Sequence, residues 1–423
     1  MFMMGSATAT ATATAFLVAA SSASDPVAAA LQRVAQDVSE RFNCSISIAF
    51  HSANLTTSAA AGYTDAGLGL GKATRAAKPD DVYVWGSTTK MFTAAAVLQL
   101  VDTGMVKLED PITDHVDPFL NKVNGTVLAD HFGSEIAKVT VAELLHMTSG
   151  LGDYDRSAYT EAQFADRGHD FAPVEILSKY VPRLSRWPGP GTRQRYCSTN
   201  YIILGLILAN HAGVDAWTAY NQLEVLPTAL RPTFVKTRFA DSGRCSSWSP
   251  VHGFMQSYEG LPIPEQDVYN LSCTGGWTAG NLLSSVDEVA RFTRELYRPG
   301  GTIVSAAMQK HMVDFSAPGS QGFKFYGMGT FNLGWAIGDD LAAVGHVGDT
   351  YGYQSQTSYI PHLDAALAVA TNIEREDQAQ PADATCHAYH AIVAALNGQP
   401  APTCTFTVPH RFIGECKCTH AHR

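Results

Sequence analysis

The chain of 423 residues is long enough for about three domains or for one large domain of two lobes. A hydrophobic content of 46% provides material for a sizeable core, and a net charge of −10 lacks the basic footprint that nucleic-acid binding requires. No apolar run reaches the roughly 18 residues that a transmembrane helix needs, so none is predicted.

Residues 1–24 are typical of a secretory signal peptide. An Ala-Thr repeat leads into an apolar stretch, Phe16–Ala20, which is followed by small residues. Four Asn-x-Ser/Thr sequons, at Asn43, Asn54, Asn124 and Asn270, add support for a secretory route. We therefore expect a secreted glycoprotein. Because the first residues contain no Lys or Arg, a low-complexity N-terminus on a cytosolic protein is the alternative.

Helix and strand patterns follow one another in a clear order. A helix is predicted over 26–42, a strand over 46–50, a hairpin tip over 67–72, and a buried helix that begins at Ser87 and stops before Gly104. The loop-rich stretch 111–260 carries helical segments near 141–147, 173–181 and 200–211. Then follow a helix over 282–297, strands over 331–337, 343–347, 354–360 and 365–371, and a helix over 383–396. Strands at both ends of the chain indicate one sheet assembled from the two termini.

The tail, 399–423, is rich in Pro, Thr and Cys. Disulfides among Cys404, Cys416 and Cys418, or to Cys386, are expected there rather than a zinc site, because two cysteines one residue apart make a poor zinc knuckle. Cys245 and Cys273 bracket a loop that a disulfide would stiffen. No metal and no cofactor is predicted.

Ser87 and Lys90 form a Ser-x-x-Lys pattern at the start of the buried helix. The helix dipole favours negative charge at the Ser87 oxygen, and Lys90 lies one turn later on the same face. In a buried pocket, an amine at this distance can help to remove the hydroxyl proton. An N-cap serine followed by a solvated lysine is the structural alternative, but the apolar residues after the pattern argue against a solvated Lys90.

Two further elements complete a candidate site. Tyr196 precedes an apolar helix, and a phenol close to ammonium groups can lose its proton and act as a general base. Gly345-His346-Val347-Gly348-Asp349 is a glycine-rich strand that a substrate can approach closely. The backbone N–H groups of Ser87 and Asp349 could then form an oxyanion hole.

These elements, in this order, resemble the serine β-lactamase and penicillin-binding-protein superfamily, above all its class C β-lactamase, D-Ala-D-Ala carboxypeptidase and esterase members. Two further segments carry the resemblance: Leu144–Leu151 is similar to a Leu-Leu-x-His-Thr-Ser-Gly-Leu motif and Gly275–Phe292 to the family's Gly-Gly helix entry. The glycine-rich strand, extended to Gly345–Tyr353, is similar to Gly-His-x-Gly-x-x-x-Gly-Tyr. The resemblance covers about residues 26 to 397.

The resemblance implies an α+β fold in which helices flank an antiparallel sheet built from both termini. It implies a domain over 25–398, with an α/β lobe at about 25–85 and 280–398 and a mostly helical lobe at about 86–279. Ser87 would be the acylated nucleophile, Lys90 its activating partner and Tyr196 the base and proton shuttle. His346 would orient a substrate carboxylate or the tyrosine hydroxyl, and Ser198, Gly348 and Asp349 would contact the substrate.

Two departures from the family's pattern bear on the function. Ser198 stands where the family usually has an Asn that supports the lysine and binds a substrate amide, and His346 stands where many members have Lys. Both favour an esterase or peptidase over a β-lactamase. The expected function is therefore hydrolysis of an ester or amide, in a small molecule or short peptide, through an acyl-enzyme. A β-lactamase and an inactive ligand-binding homologue are the alternatives.

Overall fold

The computed structural model describes residues 25–182, 189–258, 261–263, 266–320, 325–339, 341–375 and 379–405. The predicted signal peptide at 1–24 lies outside the described residues, as do Cys416 and Cys418. Among the residues described, no helix combines the length and the apolar character that a bilayer crossing needs.

One antiparallel sheet of six strands, in the order β10-β11-β12-β13-β1-β2, dominates the structure. β1, near the N-terminus, pairs directly with β13, near the C-terminus, with Ile46 opposite Thr371. The prediction of a single antiparallel sheet built from both termini is thereby confirmed. The strands are β1 (Ile46–Ser52), β2 (Thr56–Ala61), β3 (Ala66–Gly67), β4 (Leu70–Gly71), β5 (Tyr83–Val84), β6 (Arg238–Phe239), β7 (Ser257–Tyr258), β8 (Leu261–Pro262), β9 (Leu282–Ser284), β10 (Phe331–Asn332), β11 (Val344–Thr350), β12 (Tyr353–Ile360) and β13 (Ala365–Thr371).

Helices cover both faces of this sheet. Every residue of β12 and β13 is buried, which requires packing on the two sides to which successive side chains point. α1 and α11 pack against each other and against the strands, and α9 contacts β1, β12 and β13. The helices are α1 (Pro26–Phe42), α2 (Thr89–Asp102), α3 (Ile112–Asn124), α4 (Leu128–Phe132), α5 (Val141–Leu145), α6 (Ser157–Ala165), α7 (Pro173–Glu175), α8 (Thr199–His211), α9 (Val286–Tyr297), α10 (Ala306–Met312) and α11 (Ala379–Asn397).

The helical part between α2 and β9 is organised around two buried helices. α2 and α8 are apolar on nearly all sides, and they contact each other. A helix without a polar face is stable in water only when other elements surround it. The short strand β9 lies between β5 and β6 and runs beside the start of α2. These elements therefore form a rigid base for the residues at the start of α2 and α8.

The structure differs from the sequence-based prediction at two segments. The predicted helix over 282–297 begins only at Val286, because Leu282–Ser284 pairs with β5 and β6 as β9. The predicted strand over 331–337 ends at Asn332 and continues as a 3₁₀ helix, Gly334–Ile337. In addition, helices α3, α4, α6 and α10 were not predicted.

Two disulfides are present among the described residues. Cys245 pairs with Cys273, as the sequence suggested, and Cys386 in α11 pairs with Cys404 of the tail. The second bond ties the chain after α11 back onto the helix that covers the sheet.

Replacing Cys404 with Ser should lower the free energy of unfolding by about 3 kcal/mol, because the bond closes a loop with a sequence separation of 18. Chemical denaturation of the two proteins measures the loss. A peptide map without reductant should contain the linked pairs 245–273 and 386–404. Free thiols at these positions in the wild-type map would contradict both pairings.

Candidate active site

Ser87 lies in a tight turn immediately before α2. The helix begins at Thr89 rather than at Ser87, and the Lys90 N–H donates to the Ser87 carbonyl at 3.0 Å. The Thr89 hydroxyl donates to the Gly86 carbonyl at 2.6 Å and accepts from the Leu282 N–H at 3.0 Å. The turn is therefore attached to β9, which fixes the position of the Ser87 side chain.

Lys90 joins three parts of the chain. Its Nζ donates to Ser87 Oγ at 2.7 Å and to the Ala279 carbonyl at 2.9 Å. The side chain is fully buried, at 0% exposed surface. A buried ammonium is stable only where polar atoms replace its water shell, and here a hydroxyl and a carbonyl do so. The structural alternative of a solvated lysine therefore does not apply.

Tyr196 lies beside this lysine. Lys90 Nζ is 5.0 Å from the centroid of the Tyr196 ring, which also stacks on Phe331 at 5.5 Å. The segment that resembles the Leu-Leu-x-His-Thr-Ser-Gly-Leu motif holds the backbone around Tyr196 through hydrogen bonds. Met147 accepts backbone N–H bonds from both neighbours of Tyr196, through its carbonyl from Arg195 at 2.8 Å and through its sulfur from Cys197 at 3.4 Å. The motif thus has a structural role in holding Tyr196.

His346 is fully buried and its ring contacts a different tyrosine. Its Nδ1 lies 2.5 Å from the Val347 carbonyl, which can only accept, so Nδ1 carries the proton. Nε2 then accepts from the Tyr326 hydroxyl at 3.0 Å, while the Tyr196 ring centroid is 6.2 Å away. Burial, with the nearby Lys90 charge, lowers the pKa of His346 to about 3. The imidazole is therefore neutral at physiological pH.

Two glycines allow β11 to approach the Ser87 turn. A Cβ on Gly348 would lie 1.8 Å from the Trp85 carbonyl, and one on Gly86, which has a φ of +52°, would lie 3.0 Å from the Asp349 nitrogen. Only glycine permits such contact between backbones. The Asp349 backbone is thus brought next to the residue that precedes Ser87, with the Asp349 side chain exposed.

Ser198 is buried, and its backbone contacts an acidic residue that sequence reasoning missed. The Ser198 N–H donates to Asp153 Oδ2 at 3.0 Å. Burial raises the pKa of Asp153, and the charge of Lys90 acts in the opposite direction. Asp153 follows the Leu144–Leu151 segment by two residues, so its position next to a motif is the feature of the sequence that could have identified it as a site residue. The contact of Lys90 with the Ala279 carbonyl could not be predicted, because the pattern of side chains in a sequence does not show which backbone atoms a residue will contact.

A small pocket lies near these residues, partly open to solvent, with a cavity volume of about 20 Å³. Three of its lining residues are close in sequence to the site: Val84 precedes the Ser87 turn, Gly280 follows Ala279, and Thr350 follows Asp349. The Cys245–Cys273 disulfide and Leu271 contribute to the wall. In the described ranges, His, Cys, Asp and Glu side chains form no group of three that could hold a metal ion.

A serine and a lysine one turn apart at the start of a buried helix, beside an antiparallel sheet, define a protein of the serine β-lactamase and penicillin-binding-protein type. The sequence profile described as Beta-lactamase matches residues 49–391. The chain therefore belongs to the beta-lactamase family of hydrolases, which confirms the resemblance stated from the sequence.

Individual relatives are distant. Penicillin-binding protein 4 of Amycolatopsis lactamdurans is 28% identical over 310 residues, covering 69% of this chain and 72% of its own. Protein flp of Staphylococcus aureus (strain MRSA252) is 23% identical over 301 residues, covering 71% of this chain but only 54% of its own. The chain thus spans about half the length of the flp protein.

Solved structures share the fold. A D-stereospecific amidohydrolase from Streptomyces sp. has a TM-score of 0.66 at 19% identity, covering 88% of this chain and 99% of its own. D-amino acid amidase from Ochrobactrum anthropi SV3, complexed with L-phenylalanine amide, has a TM-score of 0.65 at 20% identity, with the coverage again 88% and 99%. At this identity the likeness establishes the α+β fold.

The buried, neutral His346 should make the protein less stable in acid. The unfolded chain binds a proton near pH 6.5, whereas folded His346 does so only near pH 3, so stability falls as the pH drops through this window. His346→Gln should therefore reduce the stability difference between pH 7 and pH 4.5 by about 2 kcal/mol.

Urea denaturation at the two pH values measures this difference. The control is His362→Gln, which removes an exposed histidine and should leave the stability difference between the two pH values the same as in the wild type. A His346 ring resonance that titrates near pH 6.5 in the folded protein would contradict the assignment.

Proposed function

We propose that the protein is a serine hydrolase that cleaves an ester or an amide through an acyl-enzyme on Ser87. The observation that carries the proposal is the 2.7 Å contact between Lys90 Nζ and Ser87 Oγ in a site where Lys90 is fully buried. A buried lysine beside a hydroxyl is a recognised means of activating a serine nucleophile.

In the acylation step, Ser87 Oγ attacks the substrate carbonyl carbon. The hydroxyl proton passes to Tyr196, which takes part as a phenolate stabilised by the Lys90 ammonium, and from there to the leaving alcohol or amine, so the carbonyl–heteroatom bond breaks as the Ser87 ester forms. Negative charge on the carbonyl oxygen is stabilised by the backbone N–H groups of Ser87 and Asp349. The glycines at 86 and 348 support this role, because they let the two backbones approach each other.

In the deacylation step, a water molecule attacks the Ser87 ester. Tyr196 with Lys90 takes the water proton and returns one to Ser87 Oγ, so the acid is released and the free hydroxyl is restored. His346 acts indirectly in this proposal, through Tyr326. It accepts from the Tyr326 hydroxyl, and the Tyr326 ring packs edge-on against Tyr196 at 5.7 Å between centroids. It thereby helps to hold the orientation of the base.

Substrates without a carboxylate beside the scissile bond suit this site. A neutral His346 with both ring nitrogens hydrogen-bonded offers no charge to a carboxylate. Asp349, beside the proposed oxyanion hole, carries an exposed acidic side chain. These features disfavour β-lactams, whose carboxylate requires a cation. Since the structures with the same fold include a D-amino acid amidase, D-amino acid amides and esters are the first substrates to test.

We also propose that the protein is exported and N-glycosylated. All four sequon asparagines, Asn43, Asn54, Asn124 and Asn270, are exposed in the fold, so a glycan at any of them is sterically compatible with it. The two disulfides support an oxidising compartment, because such bonds persist in secreted proteins and are rare in the cytosol.

Ser87→Ala should abolish covalent labelling by a fluorophosphonate, because the acylated oxygen is absent. Intact-mass analysis of wild type and variant measures the adduct, and Ser178→Ala, which removes an exposed serine hydroxyl, is the matched control. Lys90→Ala should label at least about a hundredfold more slowly. Equal labelling of wild type and Ser87→Ala would reject the nucleophile. A wild type that is labelled by no acylating reagent would favour the inactive homologue.

The open space beside Gly275, at the edge of the small pocket, should accept the acyl side chain of the substrate, and Gly275 should set the size of the group that fits. A Cβ at Gly275 would meet no atom within 4 Å, so a side chain fits there without strain. Gly275→Val should lower kcat/KM for phenylalanine-sized acyl groups about tenfold or more and change it little for acetyl esters. Gly275→Ala is the graded control.

Steady-state kinetics on a panel of esters, D-amino acid amides and a chromogenic cephalosporin, with Ser87→Ala as the blank, tests these preferences. Equal losses on acetyl and phenylalanyl substrates would contradict the pocket assignment. Turnover of the cephalosporin above that of the amides would instead favour a β-lactamase.

A further inference from the structure

Two histidines from different helices meet at the C-terminal end of α8. His211 is the last residue of α8, and its Nε2 lies 3.1 Å from Nδ1 of His115 in α3. The two ring centroids are 5.2 Å apart, and both side chains are partly exposed. α3 and α8 pack against each other. No spaced motif marks the pair, because the two residues are 96 positions apart in the sequence.

A carboxylate fixes the other nitrogen of the His115 ring. Nε2 of His115 lies 3.0 Å from Asp110 Oδ2, and because an ionised carboxylate can only accept, Nε2 carries the proton. The Lys107 N–H donates to the same carboxylate oxygen at 2.8 Å, and the Asp110 carbonyl accepts from the Val141 N–H at 3.2 Å. Nδ1 of the neutral His115 ring therefore has a free lone pair, which accepts the Nε2 proton of His211.

The geometry of this pair is close to that of two ligands on one metal ion. Zinc binds imidazole nitrogens at about 2.0–2.1 Å in a tetrahedral arrangement, which places two such nitrogens about 3.3 Å apart. The separation of 3.1 Å between the two histidines is close to this value. A histidine that ligates a metal usually donates its other ring N–H to a carboxylate, as His115 does to Asp110. The negative end of the α8 dipole lies here as well and favours a cation.

We propose that His115 and His211 form a binding site for a divalent transition-metal ion of the zinc type, with water in the remaining coordination positions. Imidazole nitrogen suits Zn²⁺, whereas Mg²⁺ and Ca²⁺ prefer oxygen ligands. When the metal binds, the Nε2 proton of the neutral His211 ring moves to Nδ1 of the same ring, so both facing nitrogens offer lone pairs. Asp110 bonds to the other nitrogen of His115 and supports the site from there. The three side chains therefore form a chain rather than a cluster of three ligands, in agreement with the described part of the molecule holding no such cluster.

The proposed site is distinct from the candidate active site. The 13 residues of α8 place it about 20 Å from Ser198 at the start of that helix. An ion with one ligand from each helix cross-links α3 to α8. It stabilises the folded chain alone, because His115 and His211 are brought together only by folding. The inference therefore does not depend on the acyl-transfer function.

Zinc should raise the melting temperature of the full chain. After treatment with a chelator, about 100 µM ZnCl₂ at neutral pH should raise it by at least about 2 °C, whereas MgCl₂ at the same concentration should not. His115→Gln and His211→Gln should each lose most of this increase, measured against their own metal-free melting temperatures, and the double variant should lose no more. His362→Gln, which removes an exposed histidine elsewhere, is the matched control and should keep the full increase.

Calorimetric titration with ZnCl₂ measures the site directly. His211→Gln should bind one zinc ion fewer per chain than the wild type. Asp110→Asn should weaken binding at this site by about tenfold or more, because the ligand loses the charge that makes it more basic. Asp114→Asn, which neutralises an exposed acid in the first turn of α3, is its control and should change the affinity less than about threefold.

Two results would overturn the proposal. A wild type whose melting temperature does not respond to zinc would leave Asp110, His115 and His211 as a hydrogen-bonded chain only. A response that both glutamine variants retain in full would place the metal elsewhere on the protein. Neither measurement uses turnover of a substrate, so an inactive Ser87 would reject the proposed function without affecting this test.

Discussion

The candidate site is organised around the buried ammonium of Lys90 and the hydrogen bonds that it donates. Taking a charged amine out of water costs several kcal/mol, and the cost is offset only if polar atoms surround the nitrogen at hydrogen-bond distance. Ser87 Oγ and the Ala279 carbonyl do so at 2.7 Å and 2.9 Å. One acceptor comes from the turn before α2 and the other from the segment before β9. Each of these elements is therefore fixed by the same charge.

The surrounding residues explain why this geometry is held so firmly. Thr93 donates to the Thr278 carbonyl at 2.7 Å, and Thr278 donates to the Tyr201 carbonyl at 2.8 Å, so hydrogen bonds link α2, the segment before β9 and α8. Gln194 donates to the carbonyls of His146 and Tyr326 at 2.9 Å and 2.7 Å. These buried contacts join the Tyr196 segment to the strand side of the site. Few of these contacts correspond to a recognisable motif in the sequence, which is compatible with a fold that this chain shares with a protein of only 20% sequence identity.

The strongly periodic parts of the sequence predicted the fold well. The alternation in β1, the strand patterns of β12 and β13 and the long apolar run of α8 were sufficient for the sheet and the central helix, because burial determines these patterns. Segment 282–297 was assigned wrongly at its start because Leu282 and Leu283 fit a helix and a buried strand equally well. Pairing with Val84 and Arg238, which are distant in sequence, decides between the two.

The candidate site was predictable to the extent that its side chains belong to spaced motifs. Ser87 and Lys90 are one helical turn apart, and Tyr196 and His346 stand next to glycine or apolar signals. Asp153 had no signal except its position next to a motif, and Tyr326 had none, because the contacts of both arise only when distant segments fold together. The imidazole illustrates the difference. The sequence predicted that His346 belongs to the site, whereas the hydrogen bond of its ring to Tyr326 depends on the register of β11 against β10.

The pairing of β1 with β13 has a consequence for how the protein is made. A growing chain presents Ser87 and Lys90 long before β11, β12 and β13 leave the ribosome, and contacts between such distant segments form late and slowly. Until then β1 has only β2 as a neighbour, and the Gly86 turn lacks the strand that completes its surroundings. The residues of the candidate site therefore come together only when synthesis is nearly finished. A chain that ends before β11 lacks the backbone that packs against Gly86 in the complete fold.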